Sequence, residues 1–146
     1  MRKLFAYCVA AAFLSGCQTA DDTLITNSAP VSISGPAARA VAGDIASRLA
    51  EQFVPAGRTT TIVMHNDKSE FATALEAALK GWGYRVVPDG KVPKGATLVE
   101  LAYAIEGFDG QILARVSTPS IALSRAYAPS AVGAAPISPL SIMQRN

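Results

Sequence analysis

The spacing of apolar residues divides the chain into one leading apolar run, two helical stripes and a series of short strands. The run extends unbroken from Leu4 to Leu14, directly after Arg2 and Lys3. Further on, Ser34-Gly35-Pro36 is suited to start a helix, because serine can cap free amides and proline is tolerated in the first turn. Ala38, Val41, Ala42, Ile45, Leu49 and Phe53 then recur at spacings of three and four, with Arg39, Asp44, Arg48 and Glu51 opposite them. This predicts an amphipathic helix that ends before Pro55-Ala56-Gly57, with a little support from the Asp44/Arg48 pair one turn apart.

Thr59 to His65 is rich in β-branched residues and predicts a strand. Asp67-Lys68-Ser69 supplies a turn and a cap. A second stripe follows, formed by Phe71, Ala74, Leu75, Ala78, Leu79 and Trp82, with Glu70, Thr73, Glu76 and Lys80 toward water. On this pattern Trp82 is the last buried residue of its stripe. Gly81 and Gly83 end the helix through a left-handed residue and pass the chain to a short strand at Tyr84-Arg85-Val86-Val87. Residues 88–96 hold two prolines and two glycines and predict a surface loop. Beyond it, Val99, Leu101, Tyr103 and Ile105 alternate with Glu100, Ala102, Ala104 and Glu106, the period of a strand with one buried face. Asp109-Gly110 marks a reversal, Ile112 to Val116 returns as the partner, and Ile121 to Tyr127 predicts one more strand. Thr118-Pro119 between them suggests an edge position or a bulge.

This order predicts an α+β fold over residues 34–128. It is a small two-layer domain with two helices packed on a mixed, mainly antiparallel sheet of about four to five strands. A right-handed crossover makes the strands at Thr59 and Tyr84 parallel. Residues 17–33 are polar and read as a flexible tether, in which Leu24-Ile25 and Val31-Ile33 could add a strand to a partner's sheet edge. Residues 129–146 are rich in proline and alanine, without period, and are expected to be disordered in isolation. Ile137, Leu140, Ile142 and Met143 offer the alternative that this tail is a docking peptide.

The leading run takes on meaning when its length is set against a membrane. Its eleven residues are too few for a spanning helix, which needs roughly 20. A positive start, a short apolar stretch and the small residues Ser15 and Gly16 are instead the parts of a signal peptide, residues 1–16. Leu14-Ser15-Gly16-Cys17 resembles the bacterial lipobox. That resemblance implies cleavage between Gly16 and Cys17, a diacylglycerol thioether on Cys17 and acylation of its freed amine, so that the chain is a membrane-anchored, palmitate-type lipoprotein. More than one acyl chain matters, because a single one anchors only marginally at about 0.8 kcal/mol per buried methylene. Gln18, where aspartate would retain an enteric lipoprotein in the inner membrane, implies the outer membrane, with the domain in the periplasm.

Cleavage also changes the composition. Without Arg2 and Lys3 the 13 basic residues fall to 11 against 11 acidic ones, and the net charge of +2 becomes zero. A neutral chain argues against direct nucleic-acid binding. Cys8 leaves with the signal and Cys17 carries lipid, so no disulfide staples the exported domain.

The residues that could carry chemistry are few. His65 is the sole histidine, at a strand end near Asp67, a position that surface histidines often occupy. Asp21-Asp22 lies in the tether, so the carboxylates offer no metal site and no cofactor is implied. Glu100 and Glu106 are six positions apart on one strand, roughly 20 Å at about 3.3 Å per residue, too far to act as a paired acid and base. Gly81-Trp82-Gly83 follows a helix instead of opening one, the wrong polarity for an anion. The inventory favours a scaffold or binding protein over an enzyme.

Two stretches, Leu14-Ser15-Gly16-Cys17-Gln18-Thr19 and the block from Phe71 to Val86, give the chain a resemblance to the TrbH family of conjugal transfer lipoproteins. The resemblance implies a component of a plasmid mating-pair formation apparatus, a type IV secretion system that builds an envelope channel for DNA transfer. It carries over one residue, the lipidated Cys17, and no catalytic residue. The expected partners are the membrane, through the lipid, and other envelope proteins of the channel, reached through the tether, the sheet edge or the tail. The alternative is a stand-alone envelope lipoprotein that binds a ligand or serves a transporter or cell-wall assembly.

Overall fold

The computed structural model describes residues 31–33, 35–53, 60–88, 91 and 94–145. The expected signal peptide, Cys17, the expected tether up to residue 30, the expected Ser34 cap and the expected Pro55-Ala56-Gly57 stop lie outside them. In chain order the elements are α1 (Gly35–Phe53), β1 (Thr60–Met64), α2 (Glu70–Gly81), β2 (Arg85–Val87), β3 (Thr97–Phe108), β4 (Gln111–Ser117), β5 (Ile121–Ser130), β6 (Gly133–Pro136) and β7 (Ser141–Gln144).

The helices follow their sequence patterns. Along α1, Ala38, Val41, Ala42, Ile45 and Leu49 are buried, and its run of alanines lets α2 pack closely beside it. Ser69 caps α2, its hydroxyl accepting from the Ala72 amide at 3.1 Å, and Glu76 pairs with Lys80 at 2.6 Å one turn on. At the other end Gly83, at φ +93°, reverses the chain. Its amide donates to Lys80 O at 2.9 Å and the Tyr84 amide donates to Leu79 O at 3.2 Å, a complete Schellman motif.

That motif corrects the expectation for Trp82. The residue is 54% exposed. The apolar contact that closes a Schellman reversal falls to the residue after the left-handed glycine, here Tyr84. Its ring meets Phe53 edge-on, with centroids 6.3 Å apart, and packs against the core. Trp82, at the helix end before the reversal, is left facing out.

Among the described residues the sheet has seven strands in the order β2-β1-β3-β4-β5-β6, with β7 also on β5. The fold is therefore α+β with two helices and a mixed sheet, and the sheet is larger than the four to five strands expected from the pattern. β1 pairs in parallel with both β2 and β3, while β4 is antiparallel to both of its neighbours, β3 and β5. Asp109 and Gly110, at φ +48° and +72°, form the two-residue turn between β3 and β4, where positive φ at both positions matches the sheet twist. Pro119 sits in the tight connection from β4 to β5, closed by the Thr118 amide on Ile121 O at 2.7 Å, and not at an edge or bulge.

The extra strands come from residues 129–146, expected to be disordered. β5 runs on to Ser130, then β6 and β7 return along its far edge. The prolines do not prevent this because of where they fall. The Ile137 amide bonds Ala126 O, so the position of Pro136, one residue earlier, directs its nitrogen off the free edge, where no donor is lost. Pro129 likewise turns its nitrogen toward the β4 side, beyond the last β4 partner, Ile112 opposite Tyr127. Between β6 and β7, residues 137–140 stand opposite only Arg125 and Ala126 of β5 and so form a bulge. The bulge is fastened by the Ala126 amide on Ser138 Oγ at 2.9 Å and by Arg125 Nε on Ser138 O at 3.0 Å.

Tyr103, Tyr127, Phe71, Ile45, Leu49, Ile62 and Leu123 fill the space between the helices and the sheet. Each of the phenylalanine, isoleucine and leucine side chains among them contributes about 1.5–3 kcal/mol on leaving water. The last residues of the expected tether join this layer. Ile33 is buried, and Val31 lies so close to Gly107 on β3 that a methyl group added there would overlap it.

Candidate interaction surface

The stretch from His65 to Ser69, between β1 and α2, is organised by local turns. Asn66 Oδ1 accepts from the Lys68 amide at 2.8 Å, and Asp67 Oδ1 accepts from the Ser69 amide at 2.9 Å. Partial burial pushes the Asp67 carboxyl up, but its hydrogen bonds from Ser69 outweigh this and hold it below the usual carboxylate range. The nearness of His65 and Asp67 thus belongs to the start of α2, and His65 itself is exposed.

The other sequence candidates are dispersed. Cys17 and the expected cleavage point between Gly16 and Cys17 lie outside the described residues, as does Asp21-Asp22. Glu100 and Glu106 are both exposed on the sheet face turned away from the helices. Among the described residues there is no group of three or more His, Cys, Asp or Glu that could hold a metal ion.

Three features face outward instead. Between α1 and α2 lies an open groove of about 530 Å³, with Ala74, Ala77 and Ala78 as its floor and Arg39, Lys68 and Glu70 at its rim. The sheet face opposite the helices carries apolar residues among its charges. Leu98, Leu113 and Phe108, at the β3/β4 hairpin tip, are 40, 42 and 74% exposed. The third feature is the edge formed by β6 and β7, where Ile137, Ile142 and Met143 are all about half exposed.

This edge is fixed to the rest of the molecule through a polar cluster that pattern reading touches only in part. Asp44, expected to pair with Arg48 along α1, makes its closest contacts to β5. It accepts from Tyr127 Oη at 2.7 Å and from Arg125 Nη1 at 3.0 Å. Arg48 Nε is 3.7 Å away. Burial, reinforced by the Asp44 carboxylate, raises the Tyr127 hydroxyl well above the ordinary tyrosine range. Arg125 in turn grips the bulge at Ser138, so α1, β5 and the β6/β7 edge form one fastened unit.

The sequence signal for the edge was present but local. Ile142 and Met143 stand out as apolar residues in 129–146, yet only their pairing with Leu123 and Ala122 reveals a strand. The family model described as "Conjugal transfer protein TrbH" matches residues 19–146. A protein of Sinorhizobium fredii (strain NBRC 101917 / NGR234) named "Probable conjugal transfer protein TrbH" is 64% identical over 149 aligned residues, which span the whole of both chains. No solved structure matches.

Proposed function

The chain belongs to the TrbH family of conjugal transfer proteins, and from that membership we propose that it is a structural or assembly component of a conjugal DNA-transfer apparatus, a type IV secretion system. The observation that carries this reading is the likeness to a conjugal transfer protein along the whole chain. It acts by contacting other transfer-system proteins while held at a membrane. The half-exposed apolar residues of the β6/β7 edge and the hairpin tip at Phe108 support such a role, because exposed apolar positions gathered on an edge suit protein contact. The neutral mature chain supports contact with proteins and not directly with DNA.

The attachment is a lipid on Cys17, with cleavage between Gly16 and Cys17, the domain in the periplasm and the outer membrane as the destination. The lipobox-like Leu14-Ser15-Gly16-Cys17 supports it. Among the described residues no helix is long and apolar enough to cross a membrane. A stand-alone ligand-binding lipoprotein would call for an enclosed apolar pocket. The groove beside Ala74 is open and rimmed by charge.

Deletion of the gene tests the role, and an unchanged conjugation frequency rejects it. Cys17→Ser tests the anchor: labelled palmitate should no longer be incorporated and uncleaved precursor should accumulate. Processing that continues at the usual site rejects lipidation.

A further inference from the structure

The two edges of the sheet are treated differently. β2 is three residues long, includes the charged Arg85 and runs into Pro88, all features that discourage a strand from adding to it. β6 ends in Pro136 and gives way to the bulge. β7, Ser141-Ile142-Met143-Gln144, is fully extended and exposed, with neither charge nor proline. Among the described residues its only strand partner is β5.

The ladder fixes which of its backbone groups are unused. The Arg145 amide donates to Ser120 O at 2.8 Å, so the pairs Ser120/Arg145, Ala122/Met143 and Ser124/Ser141 are the hydrogen-bonded ones. The amides and carbonyls of Ile142 and Gln144 therefore point off the edge. On β5 the same alternation turns Ile121 toward β4, in agreement with the Thr118 amide bonding Ile121 O.

We propose that β7 pairs antiparallel with β7 of a second copy of this chain, about a two-fold axis through Met143, an association beyond the family role above. Such an axis places Ile142 opposite the partner's Gln144 and Gln144 opposite the partner's Ile142. Those are the residues whose backbone groups are turned outward, and the symmetry satisfies them in two reciprocal pairs. The charges agree with this register. The strand itself is neutral, and Arg145 falls opposite the partner's Ser141, so no like charges meet.

The side chains agree as well. Ile142 and Gln144 lie on the helix-bearing face, opposite Leu123 and Ile121. Ile142 is left 45% exposed there. Beside Gln144 is a cavity of about 320 Å³ lined by Phe53, Ile121 and Arg145. The pairing brings each Ile142 alongside the other copy's Gln144, at the mouth of that cavity, so the same contact is made twice. Two sheets then continue as one, with both helix layers on the same side.

The test is cross-linking of the full-length chain in membranes and after detergent extraction. Met143→Cys brings two thiols together at a non-hydrogen-bonded pair, where Cα atoms are about 4.5 Å apart, within the range a disulfide spans. Mild oxidation should yield a dimer well above the background of the native chain, and Ile142→Cys, which faces Gln144 of the other copy, should yield much less. Adding Ile142→Pro to Met143→Cys should abolish the dimer. The Ile142 amide bonds nothing within its own sheet, so an unchanged circular dichroism melting curve separates lost pairing from lost fold. No dimer from Met143→Cys, equal trapping by the two cysteines, or trapping only to a different protein would each overturn the proposal.

Discussion

The hydroxyl of Tyr127 on β5 lies 2.7 Å from the carboxylate of Asp44 in the middle of α1. The same carboxylate receives Arg125, so one residue fastens the helix layer to the outer half of the sheet. Asp44→Ala leaves a buried hydroxyl and a mostly buried guanidinium without their acceptor. The expected cost is about 2–4 kcal/mol, read from urea unfolding, with Tyr127→Phe costing about 1 kcal/mol. Equal costs for the two substitutions would mean that Arg125 adds nothing.

Gly107 and Val31 provide a second test, because a Cβ at Gly107 would overlap the Val31 side chain. Gly107→Ala should destabilise by about 1–2 kcal/mol, as overpacking does. Combining it with Val31→Ala should recover part of that loss. If the double variant is no better than the sum of the singles, residues 31–33 do not pack where the structure places them.

The end of α2 separates two aromatic residues with opposite expectations. Trp82→Ala should change stability by no more than about 0.5 kcal/mol, since the side chain is exposed. Tyr84→Ala should cost at least about 1 kcal/mol through loss of its packing on Phe53. The reverse order would restore Trp82 to the core.

Tyr103 predicts a pH dependence. Burial, reinforced by the nearby Asp67 carboxylate, pushes its hydroxyl from the ordinary 10 up to about 12. A value raised by folding means stability that is complete below the unfolded value and lost as pH rises from about 10 through about 12. Titration of tyrosinate absorbance should show Tyr103 ionising late, together with loss of structure, and Tyr103→Phe should remove its share of that alkaline sensitivity. Early, reversible ionisation in the folded protein would contradict the burial.

The elements that can be read from the sequence are those whose pattern is local. α2 carries its own cap at Ser69 and its own stop at Gly83, and the β3/β4 turn is written in Asp109-Gly110. β6 and β7 carry no such marks. They are strands because β5 supplies a ladder and because Pro136 falls where the ladder requires no donor. Trp82 shows the limit of the helical period, which counts faces but does not see that the reversal at Gly83 hands the core position to Tyr84. The edge was legible only as scattered apolar residues, since the outward direction of Ile142 and Gln144 depends on register with a strand some twenty residues earlier.

Val31 rests on Gly107, near the β3/β4 turn, and Arg145 ends against Ser120, in the β4/β5 connection at the other end of β4. The first described residues thus pack against one end of the sheet, and the last strand leaves it at the opposite end. Tension between the two would draw β7 lengthwise along β5 and load the hydrogen bonds of that pair together, in shear, instead of peeling them apart one by one. Pulling between residues 31 and 145 should therefore unfold the domain at a higher force than pulling across the strands, a difference that single-molecule force measurements would read.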